Sequence, residues 1–199
     1  MKYQRQQIEM AMAKLGHKYF TNGEYNVNII GIRNSSTGEK VTNAFDDLLT
    51  LSFKVNGEWV FYQWDATTEP GKKGMLEGKA AGGVSFVVPG QYPGSHAIGL
   101  HQGKYEALKQ CGNIKVYRDG DRDLVFDKDK TSEGVFGINI HKAGVDSTFV
   151  ENWSEGCQVF KREAEFNVFM SFIKKAATIH GNRFTYTLIE SKHITTALG

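Results

Sequence analysis

The sequence predicts a mostly β domain of the α+β class, a sandwich or barrel with one helix at the start of the chain and another packed on the sheet near its end. Three observations lead there. Short runs rich in β-branched and aromatic residues recur along the chain, an Asn-Gly pair sits between two alternating apolar runs, and two stretches carry the three-to-four-residue apolar spacing of a helix. With 199 residues, 40% of them hydrophobic, the chain can bury a sizeable core, and no polar linker or internal repeat divides it. A single domain over 1–199 is expected.

In chain order, "MKYQRQQIEMAMAKLGHKYF" reads as an amphipathic helix with Ile8, Met12 and Leu15 along one side, punctuated by Gly16. "YNVNIIGIRN" reads as a strand. "LLTLSFKVNGEWVFYQWDA" is the clearest hairpin, because Asn56-Gly57 accepts the positive φ angles of a tight type I′ turn. From Glu69 to Gly94 many glycines and all three prolines suggest a long surface loop around one short strand. "NIKVYRDGDRDLVFD" is read as a second hairpin turning at Asp119-Gly120, and "VFGINIH" as a strand ending at His141. Phe166, Phe169, Met170, Ile173 and Ala177 mark a helix face closed by Gly181, and "RFTYTLIE" is the last strand.

The bulk numbers exclude several function classes. A net charge of +2 with scattered Lys and Arg argues against nucleic acid as a partner. No apolar run reaches membrane-spanning length, and the first residues lack the unbroken apolar segment of a secretory signal. Synthesis and folding in the cytoplasm are expected. Two cysteines, Cys111 and Cys157, cannot build a disulfide framework and show no zinc-ligand spacing, so neither metal nor cofactor is expected. Asp119, Asp121, Asp123, Asp127 and Asp129 alternate as calcium ligands do. The loop glycine and distal glutamate of such a site are missing, and turn formation and solubility account for the series.

Chemistry concentrates in "GINIHKAGVDSTFVENWSEGCQVF", residues 137–160. A cysteine nucleophile needs a base and backbone N–H groups aimed at the charge it creates. His141, ending a strand sixteen positions before Cys157, is the candidate base. In the Ser154-Glu155-Gly156-Cys157 turn, Gly156 permits close backbone approach, and the amides of Gly156 and Cys157 could face an oxyanion if a helix starts soon after. Trp153, beside Ser154, is a candidate wall of the site, and Gln158, beside Val159, is a candidate substrate contact. His96 and His101, five apart, are candidates for lining the cleft, with ordinary loop histidines as the alternative. Cys111, His17, His180 and His193 lack such company.

These residues resemble the signature of the YkuD-like L,D-transpeptidases, a histidine, a spacer, and Ser/Thr-His-Gly-Cys, matched here by His141, Ser154, Gly156 and Cys157. "FVVPGQY" at 86–92 is similar to the family's Pro-x-Gly-x-Tyr/Phe element. Glu155 stands where the family has its second histidine, and Val159 where it has Arg or Asn. The resemblance implies an L,D-transpeptidase-like sandwich or barrel and acyl transfer on peptidoglycan stem peptides through a Cys157 acyl-enzyme. His141 would serve as base and then acid, with Ser154, Gly156, Gln158, Trp153 and His96 around the substrate. It implies an L,D-peptidase or transpeptidase, with hydrolysis by a phage lysis or virion-associated protein favoured. Such a protein would reach the bacterial wall by export, at lysis or on a virion. Two alternatives stay open. One is a wall-binding or virion structural protein that keeps the fold without catalysis. The other is a zinc peptidase using His96, His141 and a carboxylate such as Asp146.

Overall fold

The computed structural model describes residues 2–37, 39–78 and 82–195. Its elements in chain order are α1 (Arg5–Lys14), β1 (Asn28–Arg33), β2 (Asp47–Val55), β3 (Glu58–Thr67), α2 (Lys72–Glu77), β4 (Val84–Val87), β5 (Gly90–His101), β6 (Tyr105–Gln110), β7 (Ile114–Asp119), β8 (Thr131–Gly134), β9 (Ile140–Lys142), β10 (Gln158–Phe160), α3 (Glu163–His180), β11 (Phe184–Glu190) and α4 (Ser191–Thr195). Eight strands close into a barrel in the order β1-β11-β5-β6-β9-β10-β3-β2, and β4-β7-β8 form a separate small sheet. The chain is therefore mostly β with packed helices, as the sequence predicts, and the sheet closes into a barrel.

Asn56 and Gly57 take φ of 51° and 81° and join β2 to β3 in an unbroken antiparallel ladder. β1 has apolar residues pointing both ways because both of its faces are covered. Ile29 faces the barrel core, while Ile30 and Ile32 lie under Ile8, Ala11 and Met12 of α1. Burying Ile8 and Met12 there contributes about 1.5–3 kcal/mol each. Leu15, expected on that face, is the helix cap and is 37% exposed. On α3, Phe166, Phe169, Met170 and Ile173 pack on Phe160 and Trp64 in the core, with Ala176 more deeply buried than Ala177, and Gly181 caps the helix at φ 84°.

Three expectations change. The segment 69–94 holds the helix α2, whose Gly74 lies so close to Ser154 that an added Cβ would stand 2.3 Å from the Ser154 carbonyl oxygen. β7 pairs with β8 at 131–134 instead of "DLVFD", so the acidic stretch 120–130 is a loop. The strand expected over 135–141 shortens to Ile140–Lys142.

Candidate active site

β9 and β10 run parallel, with Ile140 opposite Gln158 and His141 opposite Val159. This register brings Cys157, just before β10, beside Asn139, just before β9. Both enter a cavity of about 770 Å³ that is also lined by Ser85, His101, Tyr105 and Trp153. The Ser154–Cys157 turn is locked from three sides. Ser154 Oγ accepts the Gly156 N–H (3.0 Å) and donates to the Cys157 carbonyl (2.8 Å). Gly156 has φ 122°, and a Cβ there would lie 1.6 Å from the Ser85 carbonyl oxygen of β4, so only glycine fits. From below, Tyr186 Oη donates to Gln158 Oε1 (2.5 Å) and Gln158 Nε2 donates to the Gly156 carbonyl (3.1 Å).

The half-buried Cys157 packs one side against Phe45, Ala143, Val150 and Val159. Its Sγ accepts the Asn139 N–H and donates to the Gly137 carbonyl, both at 3.4 Å. Burial pushes the thiol up to about 11, with Glu155 adding to the rise and the Asn139 N–H opposing it. His141 is 3% exposed. Its Nδ1 donates to the Lys142 carbonyl (2.9 Å), which leaves Nε2 as the basic nitrogen. Burial, helped by His101, holds this imidazole down at about 4. Among the described residues no hydrogen bond joins Cys157 Sγ to the His141 ring.

His101 stacks on His141 with centroids 4.1 Å apart. Asn139 fixes its tautomer. Asn139 Oδ1 accepts the Gln110 N–H (3.0 Å), so Nδ2 is the atom that donates to His101 Nδ1 (3.2 Å), and His101 carries its proton on Nε2. Tyr105 Oη lies 3.5 Å from His141 Nδ1 and 3.4 Å from the Lys142 carbonyl.

Of the residues singled out in the sequence, Cys157, His141 and Trp153 line one cavity, and Trp153 is 44% exposed. Ser154, Gly156 and Gln158 stand behind that lining and shape it, and the Gly156 N–H is committed to Ser154 Oγ. Cys157 is followed by a strand, with the helix starting only at Glu163, so a helix N-terminus does not face the thiol. His96 is fully buried, held by Ser95 Oγ and the Ile138 carbonyl, and touches the cavity only through the Ile138 backbone. The zinc set is not assembled. Asp146 pairs with Arg162 at 3.3 Å, and among the described residues the group able to hold a metal is Asp119, Asp121 and Asp127.

Sequence reasoning missed Asn139 and Tyr105 and ranked His101 with His96. The available signal was the turn at Gln102-Gly103, which pairs His101 with Tyr105 across β5 and β6 and delivers both to β9. No family model, no curated protein and no solved structure matches the chain. The assignment of function therefore stands on the residues themselves.

Proposed function

We propose that this cavity is the active site of a cysteine-dependent acyl-transfer enzyme acting on peptidoglycan stem peptides, as an L,D-peptidase or transpeptidase. The observation that carries the reading is the parallel β9–β10 pairing, which brings Cys157 and His141 to one cavity with His141 Nε2 free to take a proton. The exposed side chains of Lys104 and Glu155 add one cation and one anion to the lining, which suits a peptide bearing both charges.

The protonation states select a mechanism. At pH 7 a thiol at about 11 is only about one part in ten thousand thiolate. A standing thiolate–imidazolium pair is therefore not the resting state, and the thiol would lose its proton to His141 Nε2 as sulfur attacks the carbonyl carbon. Cys157 lines the cavity, and its own backbone N–H is the candidate donor for the resulting oxyanion. Collapse expels the leaving amine, which takes the proton from the imidazolium and leaves a thioester. Water then completes hydrolysis, or an amine completes a cross-link.

The raised thiol and the missing Sγ–imidazole hydrogen bond favour one second reading, a wall-binding module of the same fold without turnover. Purified wall fragments incubated with wild type and Cys157→Ala, and read by mass spectrometry, separate the two. Stem-peptide cleavage or joining that disappears in Cys157→Ala supports the enzyme. Unchanged fragments with retained wall binding support the module, and activity that survives in Cys157→Ala removes the nucleophile assignment.

A further inference from the structure

The small sheet carries a second cluster of chemistry at the far end of β7. One carboxylate oxygen from each of Asp119, Asp121 and Asp127 lies within 4.8 Å of the others. Oxygens on a shell about 2.4 Å from a common ion can be at most about 4.8 Å apart, so the three fit the coordination sphere of a calcium ion. An acidic cluster alone would mean little, but Asp119 is not an ordinary surface acid. It is 2% exposed, its Oδ2 accepts the Asp127 N–H (2.9 Å), and its buried Oδ1 has no hydrogen-bond partner among the described residues. A buried carboxylate oxygen without a donor costs about 1–3 kcal/mol or more. The other carboxylates in this loop are acceptors, so they cannot supply the missing donor.

We propose that Asp119, Asp121 and Asp127 bind a calcium ion. The loop is built to hold them in place. Asp121 Oδ1 accepts the Asp123 N–H (3.2 Å) and Asp123 Oδ1 accepts the Val125 N–H (2.6 Å), which curls the chain back on itself. The Val41 N–H donates to the Leu124 carbonyl (2.9 Å) and the Phe126 N–H to the Glu39 carbonyl (2.6 Å), tying the far arm to the β1–β2 connection. Phe126 is buried with Met75, Val84 and Phe86. Lys128 is turned to Glu39 at 3.6 Å.

The spacing of 119, 121 and 127 matches the first, third and ninth positions of a twelve-residue calcium loop, although Leu124 stands at the sixth, where such a loop has glycine, and Asp123 at the fifth is spent on the Val125 N–H. The twelfth is Lys130, which cannot ligate, so the affinity belongs at the weak end, with Kd about 10⁻⁴–10⁻³ M. All ligands are carboxylate oxygens, which excludes a preference for zinc or copper and favours calcium over the smaller, stricter magnesium. The site is independent of the thiol chemistry but connected to it in space. It fastens the end of β7, which pairs with β4, and β4 supplies the Ser85 carbonyl that abuts Gly156.

The test uses the full chain stripped with chelator and titrated with calcium chloride alone, followed by calorimetry and by thermal unfolding. Expected is one site in that affinity range and a rise in midpoint of about 5–10 °C at a calcium concentration of 100 times Kd. Asp121 is exposed, so Asp121→Asn folds, and its effect should reverse sign with the ion. In chelator it is neutral or stabilising, because it removes a like charge, and in calcium it weakens binding at least tenfold. Absence of a calcium-dependent shift up to about 10 mM, ten times the weakest expected Kd, overturns the site. A shift that persists in the double variant Asp121→Asn, Asp127→Asn also overturns it. Magnesium acting as strongly as calcium would remove the choice of ion.

Discussion

Acid should weaken this protein through His96, and the size of the effect follows from its surroundings. His96 Nε2 lies 2.9 Å from the Ile138 carbonyl, which only accepts, so Nε2 carries the proton and Nδ1 accepts from Ser95 Oγ at 2.9 Å. The neutral ring is satisfied, and a protonated ring would be a charge with no exposed surface. Burial accordingly lowers its pKa from 6.5 to about 4, with the Ile138 hydrogen bond opposing. The unfolded chain takes up this proton near pH 6.5 and the folded chain refuses it until about pH 4, so stability present above pH 6.5 is lost as pH falls through that window. At 1.36 kcal/mol per pH unit the loss is about 3 kcal/mol. Urea unfolding of wild type and His96→Gln at pH 7.5 and pH 4 isolates it, because His141 and the carboxylates titrate in both proteins and cancel in the difference. The glutamine amide can still donate to the Ile138 carbonyl. Wild type should lose about 3 kcal/mol more than the variant over this range. Equal losses would mean that the imidazole is hydrated or charged, and the buried neutral ring would have to be abandoned.

Gly156→Ala combines positive-φ strain with a collision against the Ser85 carbonyl, about 1–3 kcal/mol for each, and should lower the thermal midpoint by about 5–20 °C; a change under about 2 °C would mean the turn is free to move. In a Cys111→Ser background, alkylation of Cys157 by iodoacetamide should be about a hundredfold slower at pH 7 than that of a thiol at its ordinary 9, and should climb until about pH 11; rapid labelling at neutral pH would reveal a thiolate instead. Arg33, 4% exposed, donates to Thr68 and the Val87 carbonyl and pairs with Glu69 at 3.1 Å. Burial holds the Glu69 carboxyl up at about 8 even beside Arg33, so at pH 7 Arg33→Met mainly removes the cation near Asp47 and the donors to the Val87 and Thr68 carbonyls. It should cost about 1–3 kcal/mol in urea unfolding; a cost below about 0.5 kcal/mol would show that these contacts contribute little.

The parts of the fold legible in the sequence are those fixed by neighbouring residues. Asn56-Gly57 specifies its own turn, and Phe166, Phe169, Met170 and Ile173 announce a helix face whatever they pack on. α2 was illegible because its glycines read as loop, and what holds it is distant, with the Gly71 N–H donating to the Ser154 carbonyl. β8 was illegible because "TSEG" carries no strand signal and is recruited by β7. At the candidate site the motif residues Cys157 and His141 were visible, but their companions were not. His96 and His101 are five apart, which places them on opposite faces of a regular strand. The sequence cannot say which face meets the cavity, and the ladder with β6 assigns it to His101.

The ring closes where β1 meets β11, so the first and last of the barrel's strands in chain order are neighbours. During synthesis β1 can pair with β2 at once, but its other edge must wait, open, until residues 184–190 have left the ribosome. Closure of the barrel must thus wait for β11, and no growing fragment that lacks residues 184–190 can complete it. The Cys157 turn shares that fate, because Tyr186, which braces it through Gln158, arrives on the closing strand.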